Sequence, residues 1–216
     1  KVVICEQTRE VGGACVHQGT IPSKALRERA MERYRAGQRF AEFKSARNLY
    51  QGGVAELIGE MTHIIKAHDQ YMSAQLTRNG IDILHGRASF EDSHTLRVRH
   101  TDGSVTIVRS DYVVIATGSR PRTPDNVGID HENIYDSDSI LSLAYLPQTL
   151  LVLGGGVIAC EYASVFALLG VQVTLIDRYP RPLGFLDADL TSRFLDYFEK
   201  HGGVFIGEAD VQSVQW

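Results

Sequence analysis

The feature that most constrains the fold is a glycine cluster between an apolar run and a helix-forming stretch. The apolar run at 150–153 leads into GGGVIA at 154–159, and no helix breaker follows until Gly170. A second apolar run, VQVTLI, then ends at Asp177. This order of strand, glycine turn, helix, strand and acidic residue is typical of a β-α-β unit that binds a dinucleotide.

The residues of the cluster have separate roles in such a unit. Gly154 permits the tight turn, and Gly156 lets the backbone approach a pyrophosphate. Ala159 permits close packing of the helix on the strand. Val157 and Ile158 open the helix, whose N-terminal amides favour an anion. We therefore predict that the nucleotide phosphates lie over this turn.

Asp177 and the arginines after it favour different nucleotides. A carboxylate at Asp177 is placed to accept hydrogen bonds from an adenosine ribose and to repel a 2′-phosphate, which favours NAD. Arg178 and Arg181 follow closely and are suited to bind the 2′-phosphate of NADP. The sequence leaves the choice between NAD and NADP open.

Composition excludes several classes of partner. The chain has 22% charged residues and a formal net charge of −4, so we expect no nucleic-acid partner, because phosphate binding needs a concentrated basic excess. The longest apolar stretch, residues 150–160, is too short to cross a bilayer, so we expect no membrane partner. The cysteines are three in number and far apart, which favours a reducing, cytoplasmic setting. No histidine spacing indicates a metal site.

The stretch before the glycine cluster has the pattern of a second α/β unit. KVVIC ends at Glu6 and predicts a buried parallel strand, while residues 54–76 predict a long helix. Residues 37–51 are polar and are predicted to be irregular. Three short runs, IDILHG, TLRVRH and VTIVRS, predict a β-meander with an Asp-Gly hairpin turn. YVVIA at 112–116 predicts another buried strand.

We therefore predict an α/β fold with two doubly wound nucleotide-binding domains. The first spans 1–147 and carries the meander, and the second spans 148–216. Residues 119–147 are rich in Pro, Asp, Asn and Ser and are predicted to connect them. We expect both domains to be incomplete, because no glycine-rich turn precedes the first strand and the alternation stops at Trp216.

A second motif, GGACVHQGTIPSK, occupies residues 12–24 and follows the strand that ends in Glu6. Together with IATGSRP at 115–121 and GGGVIACE at 154–161, it resembles the flavoprotein disulfide reductase family, whose signature is GGxCxxxGCxPSK. The resemblance covers essentially all of the chain. It departs at Thr20, where the family has its second redox cysteine.

The resemblance implies FAD and a nicotinamide nucleotide, NAD or NADP, as cofactors. It implies that Glu6 binds the adenosine ribose of FAD and that the backbone at Gly12, Gly13 and Cys15 lines the pyrophosphate and the ring. Ala88 would contact the adenine, and Thr117 with Gly118 would close over the cofactor. It further implies a homo-oligomer formed through a C-terminal domain beyond this chain.

The resemblance also implies that Lys24 approaches the reactive edge of the flavin and pairs with Glu161. The pair would be buried and would bridge the two domains. The neighbours of Glu161 are mostly apolar, and a carboxylate among them needs a cationic partner. We therefore predict that Lys24 and Glu161 touch and that both are catalytic.

The absence of the second cysteine changes the expected chemistry. A lone Cys15 cannot store two electrons as a dithiol. The reduced flavin then discharges to a second nicotinamide, to oxygen or to a quinone. We expect hydride transfer between NADPH and NAD⁺. Two alternatives stay open: another family reductase, lipoamide dehydrogenase-like or quinone-reducing, and a non-catalytic nucleotide-sensing or structural domain.

Overall fold

The computed structural model describes residues 1–41 and 54–216. Its strands are β1 (Val3–Glu6), β2 (Asp82–His85), β3 (Arg87–Phe90), β4 (Thr95–Arg99), β5 (Val105–Arg109), β6 (Thr149–Leu153), β7 (Gln172–Ile176) and β8 (Val204–Ile206). Its α-helices are α1 (Gly13–His17), α2 (Thr20–Ala41), α3 (Val54–Arg78), α4 (Val157–Leu168) and α5 (Ala188–Lys200). The predicted α/β class is confirmed.

The chain packs into two compact units that differ from the domains expected from the sequence. The first unit contains residues 1–17 and 63–120, and the second contains the described residues of 18–62 together with 121–216. Helix α2 belongs to the second unit because its buried residues Leu26 and Ala30 join the same core cluster as α4. The boundary at residue 147 stays a prediction.

The second unit is built on a parallel sheet. Its strand order is β6-β7-β8, with Leu151 opposite Thr174 and Leu175 opposite Phe205. Helix α4 connects β6 to β7, as the sequence predicted, and α5 connects β7 to β8. The core lies between sheet and helices, where Leu175 has no exposed surface. Gly170, with φ +87°, ends the turn after α4 in a conformation that favours glycine.

The first unit combines a parallel pair with a meander. Strand β1 pairs with β2 in parallel, and β3-β4-β5 form an antiparallel sheet whose last hairpin turns at Asp102 and Gly103. The run IDILHG was therefore predicted wrongly, because its strand β2 completes a pair with β1 and β3 takes its place in the meander. Gly86 makes the switch possible, since a Cβ there would lie 2.6 Å from the carbonyl oxygen of Arg99.

Two strands expected to be buried are not. The side chain of Val3 in β1 is 36% exposed, because β1 pairs only with β2 among the described residues. Residues 112–116 form no strand, and Tyr112 and Val114 are 91% and 87% exposed. A β-strand requires backbone hydrogen bonds to a neighbouring strand, and none of the described residues forms such a pair with residues 112–116.

Helix α2 extends into the stretch that was predicted to be irregular. It starts at Thr20 and places Pro22 in its first turn, where a missing N–H costs no helical hydrogen bond. It continues to Ala41, so the predicted irregular stretch is helical from Gly37 to that point, and the rest of that prediction lies outside the described residues. No helix in the described parts of the chain is both long enough and apolar enough to span a bilayer.

Candidate functional site

The glycine turn between β6 and α4 is open above its backbone. Gly154 has φ +99°, and its N–H donates to the carbonyl oxygen of Ile176 at 2.8 Å, which ties the turn to β7. Gly156 is extended and precedes the first residue of α4. A Cβ at Gly154 or Gly156 would meet no atom within 4 Å. The turn therefore presents the free N–H groups and the positive end of the helix dipole to a phosphate.

Asp177 is fixed against the middle of this turn. Its Oδ2 accepts a hydrogen bond from the N–H of Gly155 at 2.6 Å, and its Oδ1 accepts one from the N–H of Tyr179 at 3.3 Å. A Cβ on Gly155 would lie 2.3 Å from Oδ2, a separation that no real pair tolerates. Position 155 must therefore be glycine for the Asp177 carboxylate to lie against the turn, a role that the sequence pattern did not reveal.

The two arginines near Asp177 have different surroundings. Arg178 is exposed, lies 4.9 Å above the ring of Tyr179 and donates to its hydroxyl oxygen at 3.0 Å. Arg181 instead donates to the carbonyl oxygens of Leu186 and Gly184 and to the Thr191 hydroxyl. Arg181 thus holds the loop that leads into α5. Arg178 is the arginine that stays accessible beside the turn.

Lys24 and Glu161 meet within the second unit. The Lys24 ammonium on α2 donates to the Oε1 atom of Glu161 on α4. The predicted contact is therefore present. The predicted burial is not, since 56% of the Lys24 side chain and 22% of the Glu161 side chain are exposed. Water screens such a pair, so its contribution to the free energy of unfolding is at most about 1 kcal/mol.

The residues expected to contact FAD before α2 lie in the first unit. Glu6 ends β1, and its Oε1 accepts hydrogen bonds from the N–H and the hydroxyl of Thr8, both at 3.0 Å. Gly12 has φ +105°, and a Cβ there would lie 2.3 Å from Val16. At Gly13 a Cβ would meet nothing within 4 Å. The backbone at Gly13 is therefore open to a ligand.

This turn is held by two contacts that involve Val11. Its N–H donates to Oδ1 of Asp69 on α3 at 3.1 Å, and its carbonyl oxygen lies 2.8 Å from Nε2 of His17. Sequence reasoning missed Asp69, because a single carboxylate on a long helix gives no local signal of its partner 58 residues away. Asp69 therefore positions the segment that leads into Gly12.

The later candidates for FAD contact also lie in the first unit. Ala88 lies in β3 opposite Val98 and is exposed. Thr117 and Gly118 follow the unpaired stretch after Tyr112, and Gly118 has φ +70°. All three residues are exposed, and the FAD contacts themselves stay a prediction.

The cysteines differ in accessibility. All three are free thiols, and of these only Cys15, on α1, is exposed. Burial, with a smaller contribution from the charge of Asp177, raises the pKa of the Cys160 thiol to about 11. Burial also raises the pKa of the Cys5 thiol. Because the thiolate is the reactive form, Cys5 and Cys160 are poor candidates for redox chemistry.

The model of the pyridine nucleotide-disulphide oxidoreductase family matches residues 1–215. The chain belongs to this family. The resemblance predicted from the motif at residues 12–24 is confirmed.

Two curated relatives of this pyridine nucleotide-disulphide oxidoreductase carry the same name. It is 41% identical over 209 residues to a soluble pyridine nucleotide transhydrogenase of Colwellia psychrerythraea, covering 95% of this chain and 44% of the relative. It is 37% identical over 215 residues to the protein of that name from Yersinia enterocolitica, covering 100% of this chain and 46% of the relative. The chain thus spans about half the length of these relatives.

Solved structures show the same fold. The flavoprotein disulfide reductase RclA from Escherichia coli, in a Cu(II) complex, superposes with a TM-score of 0.85 at 26% identity, over 99% of this chain and 45% of that one. LpdA from Mycobacterium tuberculosis superposes with a TM-score of 0.89 at 25% identity, over 99% and 46% of the two chains.

Proposed function

We propose that the full-length protein is an FAD-dependent oxidoreductase that transfers hydride between NADPH and NAD⁺. The observation that carries the proposal is a single accessible thiol, Cys15, in a chain that keeps the dinucleotide turn and the Lys24–Glu161 contact. Thr20 stands where the family signature has its second cysteine. The name of the curated relatives supports the same activity.

The residues around the glycine turn fit a nicotinamide nucleotide. The open space over Gly154 and Gly156 admits a pyrophosphate close to the backbone. Val157 and Ile158 begin the helix whose N-terminus favours the phosphate charge, and they are 56% and 57% exposed. Asp177 would accept hydrogen bonds from the ribose hydroxyls of NAD, and Arg178 would meet the 2′-phosphate of NADP.

The accessible groups of the first unit fit FAD. Glu6 has carboxylate oxygen left to accept a ribose hydroxyl, because a carboxylate accepts several hydrogen bonds and Oε2 makes none that the structure describes. Gly13 leaves room for a phosphate at the start of α1. FAD held by these residues would supply a two-electron carrier for hydride transfer from NADPH to NAD⁺, with NADP⁺ and NADH as the products.

Lys24 and Glu161 would act on the electrostatics of this transfer. We infer that Glu161 orients the Lys24 ammonium, since the carboxylate is the more buried partner and lies on a helix packed in the core. A fixed cation stabilises negative charge as it develops in the flavin ring. Both residues are therefore proposed to be catalytic.

The function is tested by replacing Cys15 with Ser in the full-length, FAD-loaded enzyme. We expect the rate of hydride transfer from NADPH to an NAD⁺ analogue to stay within about twofold, because no step uses a thiol. The same variant reacted with a quinone separates transhydrogenation from quinone reduction. Loss of most transfer activity with FAD content unchanged would contradict a mechanism without a disulfide. A wild-type enzyme that reduces quinone but no nicotinamide would favour the quinone reductase.

A further inference from the structure

A groove runs along α4 between α2 and α5 in the second unit, and the proposed hydride transfer uses none of its apolar walls. Its floor is formed by Ser164, Val165 and Leu168 of α4, at helical spacing. Its walls include Met31 of α2 and Phe194 of α5. The cavity volume is ≈ 410 Å³, within the range of small-molecule sites, roughly 300–1,000 Å³.

The two walls meet at one end of the groove. The ring of Tyr34, one turn beyond Met31 on α2, lies 5.0 Å from the ring of His201, which follows α5. His201 in turn lies 4.2 Å from the ring of Tyr197, a groove residue. This aromatic contact joins α2 to the end of α5. The aromatic contact therefore closes one end of the groove, and Lys24 and Glu161 lie at the other end.

The open end carries a positive balance. Lys24 and Arg27 of α2 line it, and Glu161 is the one carboxylate among the groove residues. Lys24 is paired with Glu161, whereas the partner of Arg27 is Glu28 on its own helix, which is exposed and does not line the groove. The groove is thus apolar along its length, and Arg27 is the cation at its mouth whose carboxylate partner lies outside the lining.

We propose that this groove binds a small amphipathic carboxylate with a flat apolar body. The apolar body would lie against Met31, Leu183 and Phe194, which are partly exposed, with hydrophobic burial as the driving force. The carboxylate would lie at the guanidinium of Arg27, which presents a planar fork of donors. No residue proposed to be catalytic supplies this recognition, and the proposal holds whichever acceptor takes the hydride.

The groove differs from the nucleotide site in the surface it uses. The proposed dinucleotide site lies over the turn at Gly154 and Gly156, at the N-terminal end of α4, whereas the groove follows the side of that helix. The two share Lys24, Val157 and Glu161 at the mouth only. We therefore expect both sites to be occupied together.

The test is calorimetric titration of the full-length, FAD-loaded enzyme with 2-naphthoate and with uncharged 2-naphthamide. Ser164→Leu should weaken binding of 2-naphthoate by at least about tenfold, because the added side chain fills the floor of the groove. Arg27→Gln should weaken 2-naphthoate by about threefold to tenfold and leave 2-naphthamide unchanged, because it removes only a charge-assisted hydrogen bond. Saturating NADH should leave both affinities unchanged.

Matched variants make the test specific. Ser192→Leu places the same substitution on the exposed side of α5, and Arg29→Gln removes another ion-paired arginine of α2. Both should bind 2-naphthoate as the wild type does. Absence of binding, equal weakening by the control variants, displacement by NADH, or an Arg27→Gln effect on both ligands would each overturn the proposal. If Ser164→Leu fails to retain FAD, the contrast between Arg27→Gln and Arg29→Gln decides.

Discussion

Replacing Lys24 with Met in the full-length enzyme should slow flavin reduction by NADPH by about 10²–10³, with the affinity for NADPH changed far less. The substitution keeps the length of the side chain and removes its charge. The stabilisation provided by that charge grows as the flavin takes on electrons, so its loss appears in the transition state more than in binding. Single-turnover stopped-flow measurements of flavin absorbance, at several NADPH concentrations, separate the two quantities.

Two further variants define the role of Lys24. Lys200→Met removes an exposed lysine at the end of α5 and should leave the rate unchanged. Glu161→Gln keeps a hydrogen-bond acceptor for Lys24 while removing the carboxylate charge, and we expect an effect between the wild type and Lys24→Met. If Lys24→Met raises the dissociation constant for NADPH and leaves the limiting rate intact, then Lys24 binds nucleotide and does not assist the transfer.

Asp177→Asn should shift nucleotide preference toward NADP by about 1–2 kcal/mol, close to tenfold in relative affinity. The amide oxygen can still accept from the N–H of Gly155, so the turn should keep its shape. What disappears is the negative charge beside the ribose, which favours a 2′-hydroxyl and repels a 2′-phosphate. Titration of NADH and NADPH against the full-length enzyme gives the two dissociation constants directly.

The control for this variant is Asp196→Asn, on the exposed part of α5. It removes the same charge from the second unit without touching the turn. A general effect of net charge would change the relative affinity for NADH and NADPH equally in both variants, whereas we expect the change only in Asp177→Asn. Unchanged relative affinity in Asp177→Asn would mean that another group, with Arg178 the first to examine, decides between the nucleotides.

The second unit could be predicted from the sequence because its signals are local. The order from β6 to β8 follows from apolar runs, glycines and helical spacing, each readable within a few residues. The contact between Lys24 and Glu161 is different, since it joins α2 to α4. The family resemblance indicated that contact, while the half-exposed state of Lys24 depends on packing that no motif encodes.

The first unit shows what local patterns cannot determine. The run containing β2 has an apolar pattern that suits either a meander or a parallel pair, and the choice depends on β1, far away in sequence. Residues 112–116 have strand composition, but a strand also needs a neighbour with free backbone groups. The hydrogen-bond partners of Arg181 could not be predicted either, because they become adjacent to its guanidinium only when the loop before α5 folds.

The discontinuous second unit has a consequence for the order of events during synthesis. Lys24 and Glu161 are separated by 137 residues, and α2 cannot pack on α4 until the ribosome has made both. At about 5–20 residues per second, α2 waits on the order of 10 s for its partner. During that interval Leu26 and Ala30 have no core to enter, while residues 63–120 of the first unit are synthesised. A chaperone that shields short apolar helices would act on nascent chains in this interval.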